Sequence, residues 1–179
     1  MPAGELGSAA GWGLIPTLLL YVVLAVPEEV GWRGFAQARL QDRRSALASG
    51  LAVGALWALW HLPLRLDPSR VEAESSHVAW VMATVAAAVA YAWLFNSSGG
   101  SVLMVVILHA MSNTVANLVP DAAGVAAWEA AVMTALAVLV VVVFGSRNLA
   151  RRTLVRKASL GGEVADTATP QGREMESVP

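Results

Sequence analysis

The sequence predicts an all-α membrane protein, a polytopic transmembrane helical bundle with about five spans, and three observations predict it. Hydrophobic residues make up 56% of the chain and charged residues only 14%, with a mean hydropathy of +0.58; soluble domains carry about a quarter charged residues. Five stretches, 11–27, 46–64, 78–95, 102–119 and 125–146, approach the roughly 20 apolar residues needed to cross a hydrocarbon core. None of them alternates with period two, which fits helices and not the strands of a barrel. A soluble bundle is disfavoured, because five such stretches leave almost no chain for a polar exterior.

The first stretch ends at Pro27, whose missing N–H frees a carbonyl one turn earlier and predicts a kink just before Glu28 and Glu29; a first helix that instead continues to about residue 41 would place Glu28 deeper, and the sequence leaves both readings open. The second carries Gly50 and Gly54, a GxxxG pair that lets another helix approach closely. The third holds no charged residue between 78 and 95, and the fourth and fifth are rich in Ala, Val and Leu. Trp12, Trp80, Trp93 and Trp128 fall near span ends, where interfacial aromatics belong. Glu129, beside Trp128, reads as interfacial and His77 as an ordinary surface residue of the 65–77 loop.

Residues 1–10 form an N-terminal segment, 11–157 the transmembrane domain and 158–179 a polar tail. That tail is rich in Gly, Pro and small residues without hydrophobic periodicity, the composition of a disordered segment. No positive charge precedes the first apolar run, so a cleaved signal peptide is not expected. The chain has no cysteine, which excludes disulfides, thiolate catalysis and Cys-ligated zinc. No basic patch interleaves with aromatics, so no nucleic-acid partner is indicated.

Arginines concentrate in two connections. Arg33, Arg39, Arg43 and Arg44 stand against Asp42 between the first two spans, and Arg147, Arg151, Arg152, Arg156 and Lys157 follow the last. The 65–77 loop is mixed and the 120–124 turn carries only Asp121. The positive-inside rule then assigns the 34–45 loop and the C-terminus to the cytoplasm, and the N-terminus and the 65–77 loop to the outside.

Ionisable groups inside a span cost about 2.5–3.5 kcal/mol each and usually mark function. Here they cluster: Glu28, Glu29 and Arg33 in PEEVGWRG, His61 in WALWHLP, and His109 with Asn113 in ILHAMSNT. Glu29 and Arg33 are i,i+4 and can neutralise each other on one helix face. Glu28 is turned by about 100° from Glu29 and lacks a cation close in sequence. His109 and Asn113 project together, and Trp57 gives His61 an apolar shelf at the same spacing. Taken singly, the acid pair is as often an interfacial ion pair, a lone helical histidine more often packs, and asparagine commonly bonds helices together. Their conjunction on three separate spans carries the weight.

Glu28-Glu29-x-x-x-Arg33, the aromatic-x-x-x-His of Trp57–His61 and His109-x-x-x-Asn113 resemble, in order and spacing, the three motifs of the CPBP family. These are the CAAX-processing and bacteriocin-processing intramembrane proteases, similar to the eukaryotic Ras-converting endopeptidase. The resemblance covers roughly residues 15–118. Two departures stand out: Trp57 occupies a position that is usually Phe, and family members commonly have additional helices before the first motif.

The resemblance implies an intramembrane glutamic endopeptidase acting on a peptide or protein substrate within the lipid bilayer. Glu28 is then the general base, with His61 helping to position and deprotonate a water, and His109 and Asn113 donate to the oxyanion. Glu29 and Arg33 give structural support, and Trp57 packs. No cofactor is implied. Two other readings stay open: a zinc enzyme ligated by Glu28, His61 and His109, although no HExxH helix is present, and a non-catalytic immunity or scaffolding protein. The eleven arginines to one lysine suggest a GC-rich bacterial source and a multi-pass cell-membrane location.

Overall fold

The computed structural model describes residues 3–66, 76–118 and 125–151, with side chains from residue 13 onward. All of the regular structure among these is helical. Helix α1 (Ala3–Glu29) passes without a break into a π-helix (Val30–Gln37) and one last α turn (Ala38–Leu40). The rest are α2 (Ala46–Arg65), α3 (His77–Ser97), α4 (Val102–Leu118) and α5 (Val125–Phe144). Four of these are long and apolar enough to cross a membrane, the first over Gly13–Leu40. The fifth, α4, has 17 residues, the lower end of the spanning range of about 17–25.

Two sequence expectations change. The first span was expected to stop at residue 27 in a kink, and residues 34–45 to form a loop. The helix instead continues to Leu40 and leaves only residues 41–45 as connection. The loss of the Pro27 donor is followed by a shift to the wider π register three residues later, not by a break. As a result Glu28 is the sixteenth of the 28 residues of the Gly13–Leu40 span, near its middle. The expected turn at 120–124, most of the 65–77 loop and the 158–179 tail lie outside the described residues.

Helix α3 is the centre. It packs against α2 on one side and α5 on the other, while α1 packs along α4. Its buried residues are mainly Ala83, Ala86, Ala88, Ala90 and Ala92, which leave room for close approach. Gly50 and Gly54 of α2 use that room. A Cβ at Gly54 would sit 2.8 Å from Ala88 Cβ and 3.0 Å from Val85 Cα, and one at Gly50 would sit 3.2 Å from Ala92 Cβ. The GxxxG pair therefore marks a real helix–helix seam, one that depends on van der Waals contact because lipid provides no hydrophobic drive between helices. Large apolar side chains on the outer faces, such as Val23, Val132 and Val142, are exposed, as a lipid-facing surface requires.

Of the residues expected near span ends, Trp128 and Glu129 are both exposed. Trp93 differs: it is half-buried and packs on Phe144 of α5, ring centroids 5.5 Å apart. His77 is the first residue of α3 and is half-buried, not an exposed loop residue.

The Gly54 seam yields a graded expectation. Gly54→Ala forces backbone apart and should cost about 1–3 kcal/mol, as overpacking does; Gly50→Ala should cost less. Thermal unfolding in detergent checks this, and a Gly54→Ala protein as stable as wild type refutes the close seam.

Candidate active site

The π segment lies where α1 meets α2, α3 and α4. Its register matters. An i→i+5 ladder holds more residues per turn than an α-helix, where every fourth residue drifts about 40° around the axis. Glu29, Arg33 and Gln37, spaced by four across this segment, are all 0% exposed.

Arg33 Nη1 donates to Glu29 Oε1 at 2.9 Å, the ion pair expected from the spacing. The same Glu29 oxygen accepts from His109 Nδ1 of α4 at 2.8 Å. The carboxylate can only accept, so Nδ1 carries the proton and Nε2 points elsewhere. Glu29 thus does more than hold its own helix: it joins the first motif to the third and sets the orientation of His109.

Glu28 faces a different neighbour. Its Oε2 accepts from the indole Nε1–H of Trp57 at 3.0 Å. One turn on, His61 Nδ1 lies 3.0 Å from the Trp57 backbone carbonyl. A carbonyl also only accepts, so the His61 proton sits on Nδ1 and a neutral ring keeps Nε2 as a base. Glu28 and His61 are both half-buried, in contrast to the sealed Glu29 and Arg33.

Trp57 was expected only to pack. Its ring does so, meeting His61 at 5.8 Å, His109 at 5.2 Å and Tyr91 at 5.8 Å. Its N–H is the additional contribution, one that phenylalanine lacks. The Arg33 guanidinium stacks 4.8 Å from the Trp57 ring and 4.7 Å from Tyr91, a cation–π arrangement favoured by desolvation. His61 has a further aromatic wall in Trp60 and Trp80, at 4.8 Å and 6.2 Å.

Asn113 lies one turn beyond His109 on α4 and is half-buried, with no hydrogen-bond partner for its amide among the described residues. The structure thus joins Glu28 to Trp57, one helical turn before His61, and Glu29 to Arg33 and His109. Sequence reasoning missed Tyr91 and Gln37. Tyr91 is the only hydroxyl-bearing aromatic in the charge-free third stretch, and Gln37 continues the Glu29–Arg33 spacing by another four residues; both signals were available. Among the described residues no three His, Cys, Asp or Glu side chains converge to hold a metal ion. The zinc trio of Glu28, His61 and His109 is therefore not preformed.

The family described as Type II CAAX prenyl endopeptidase, Rce1-like, matches residues 10–115, more than half of the chain and all three motifs. The chain belongs to this family. A CAAX prenyl protease 2 from Methanococcus maripaludis is 27% identical over 105 residues, covering 55% of this chain and 39% of that relative. The match thus spans well under half of the archaeal protein. No solved structure matches the chain significantly.

The shared Glu29 oxygen makes Arg33 a test of support against chemistry. Breaking a buried pair by removing one partner costs about 3–5 kcal/mol. Arg33→Ala should lose that much stability, and activity with it. Glu29→Gln combined with Arg33→Met should regain much of the stability. Thermal unfolding beside a peptide-cleavage assay decides the matter, and a stable but inactive Arg33→Ala protein refutes the supporting role.

Proposed function

We propose that this protein is an intramembrane endopeptidase in which Glu28 and His61 activate a water and His109 and Asn113 stabilise the oxyanion. The observation that carries the reading is the 3.0 Å bond from Trp57 Nε1 to Glu28 Oε2. It brings the acid of α1 to the turn of α2 that carries His61. Family membership supports peptide-bond hydrolysis as the reaction, and the relative's name supports a CAAX-type peptide as the substrate class to try first.

The steps follow from the hydrogen-bond inventory. Trp57 anchors one oxygen of Glu28, and the other is left to take a proton from water. His61, fixed by its Nδ1–H, offers Nε2 to the same water and orients it. Hydroxide attacks the scissile carbonyl carbon, and the negative charge passes to the carbonyl oxygen. His109, held through Nδ1 by Glu29, turns Nε2 to that oxygen and donates to it when both ring nitrogens carry protons. Asn113 offers a second donor from its amide. Preorganised donors in a water-poor site are worth about 2.7–4 kcal/mol each to the transition state. Glu28 then returns its proton to the leaving amine, and no bond forms between enzyme and substrate. These steps draw on no metal.

Glu28→Gln, His61→Ala and His109→Ala should each abolish cleavage of a CAAX peptide by purified, folded protein; the first two should unfold near the wild-type temperature, and His109→Ala, which also removes a partner of buried Glu29, at a lower one. Trp57→Phe should lower kcat by about tenfold or more, as loss of one charge-assisted hydrogen bond at 1.5–3 kcal/mol implies. Activity should survive chelator. Cleavage by Glu28→Gln sinks the assignment, and chelator inhibition reversed by zinc replaces it with a metal mechanism.

The same reading orients the protein with the arginine-rich ends, and hence the C-terminus, in the cytoplasm. Impermeant thiol labelling in intact cells should modify Ser69→Cys and spare Ser159→Cys; the opposite pattern reverses the topology.

A further inference from the structure

Away from the catalytic residues, the arginine-rich end of the bundle contains a concavity of about 510 Å³, lined by residues 41–45, Asn96, Arg147 and Asn148. The volume falls in the range of small-molecule sites, about 300–1,000 Å³. It gathers the connection between α1 and α2, the last turn of α3 and the segment that follows α5.

Those three pieces are tied to one another. Gln41 and Asn96 exchange side-chain hydrogen bonds at 3.1 Å and 2.7 Å, and Asn96 also donates to the Asn148 carbonyl at 2.7 Å. The backbone N–H groups of Ala46 and Leu47 donate to the carbonyls of Arg147 and Ser146 at 2.8 Å and 3.1 Å. Leu149 adopts a left-handed backbone at φ +46° that a branched side chain rarely takes, and its side chain is fully buried against α2, α3 and α5. Arg147 is thereby fixed beside Arg43 and Arg44 by main-chain bonds and a buried plug. These are the features of a formed site, not of two loops that happen to meet.

The lining carries three arginines against one acid, Asp42, a net charge of +2. All three guanidinium-bearing residues are exposed to the opening. Guanidinium groups match phosphate oxygens in a planar, bidentate geometry that ammonium groups lack. The site is also remote from the reaction: Gln41 lies 13 residues past Glu28, about 20 Å along the helix. Its level is that of the lipid headgroups, since the first span, α3 and α5 end there and α2 begins. Val142 and Val143, within a turn of the end of α5, face outward where acyl chains would run. Basic pockets between spans at this level are suited to anionic headgroups.

We propose that this pocket binds a phosphate-bearing anion, the chemistry shared by an anionic phospholipid headgroup and a soluble phosphate. A phosphate bridging Arg43 or Arg44 to Arg147 ties the end of the first span to the segment after the last. The proposal does not depend on the proteolytic reading.

The test uses the full chain, purified in neutral detergent, with thermal unfolding and native mass spectrometry. Phosphatidylglycerol, phosphatidylcholine and inorganic phosphate are titrated separately. Phosphatidylglycerol should raise the unfolding temperature and remain bound, and phosphatidylcholine should do neither. Loss of each arginine should weaken binding roughly fivefold, so Arg43→Gln/Arg44→Gln/Arg147→Gln should weaken it about a hundredfold. Arg39→Gln removes one exposed charge from the same end but outside the pocket, and should change binding by less than about twofold. If the triple variant does not fold, Arg43→Gln and Arg147→Gln singly should each show the fivefold loss. A response to phosphatidylglycerol alone assigns a headgroup, and an equal response to inorganic phosphate assigns a soluble ligand; both support the site. Binding of neither, or equal binding by wild-type and variant protein, overturns it.

Discussion

The Glu29 carboxylate, sealed from solvent and shared between Arg33 and His109, is the interaction on which the rest of the site depends. A carboxylate in hydrocarbon is tolerable only when paired. Here one oxygen accepts from a guanidinium of its own helix and an imidazole of another. That double use fixes α1 to α4 and fixes the tautomer of His109. It also holds Arg33 where its guanidinium can lie on Trp57 and Tyr91. Remove the charge on Glu29, and the arginine, the histidine and both aromatic rings lose a common reference point.

The two adjacent acids thus have separate environments. Glu29 is buried and paired with Arg33 and His109. Glu28 is half-buried, with one oxygen on an indole and no partner for the other among the described residues, the setting the proposed proton transfer needs. Neighbouring identical residues reach opposite surroundings because helical geometry turns them about 100° apart. Glu29, Arg33 and Gln37 form a buried column along the π segment, and half-buried Glu28 stands outside it.

Much of this was legible in the sequence. The apolar stretches located the helices, because hydrocarbon thickness sets a length that composition reveals. The i,i+4 relation of Glu29 and Arg33 disclosed their pairing, since both lie on one element. Gly50 and Gly54 announced a close seam without naming its partner, α3. What was not legible depends on contacts between elements. Nothing local tells that Glu29 reaches His109, 80 residues away, or that the Trp57 indole turns its N–H to Glu28. The continuation of the first helix past Pro27 was only one of two readings, because proline reads as a stop where the wider π register absorbs it. Arg147 and Asn148 looked like ordinary flanking residues, and only the fold brings them against Gln41 and Asn96.

The seam at Gly54 has a kinematic consequence. With backbone nearly touching backbone, α2 and α3 have little freedom to slide or hinge, and α5 is packed onto the same core. Helices α1 and α4 form the other unit, locked together by Glu29 and His109. The Trp57–Glu28 bond crosses from one unit to the other. Glu28 is carried by the first helix and Trp57 by the second, so any displacement of α1 against α2 is felt directly in the length of that bond.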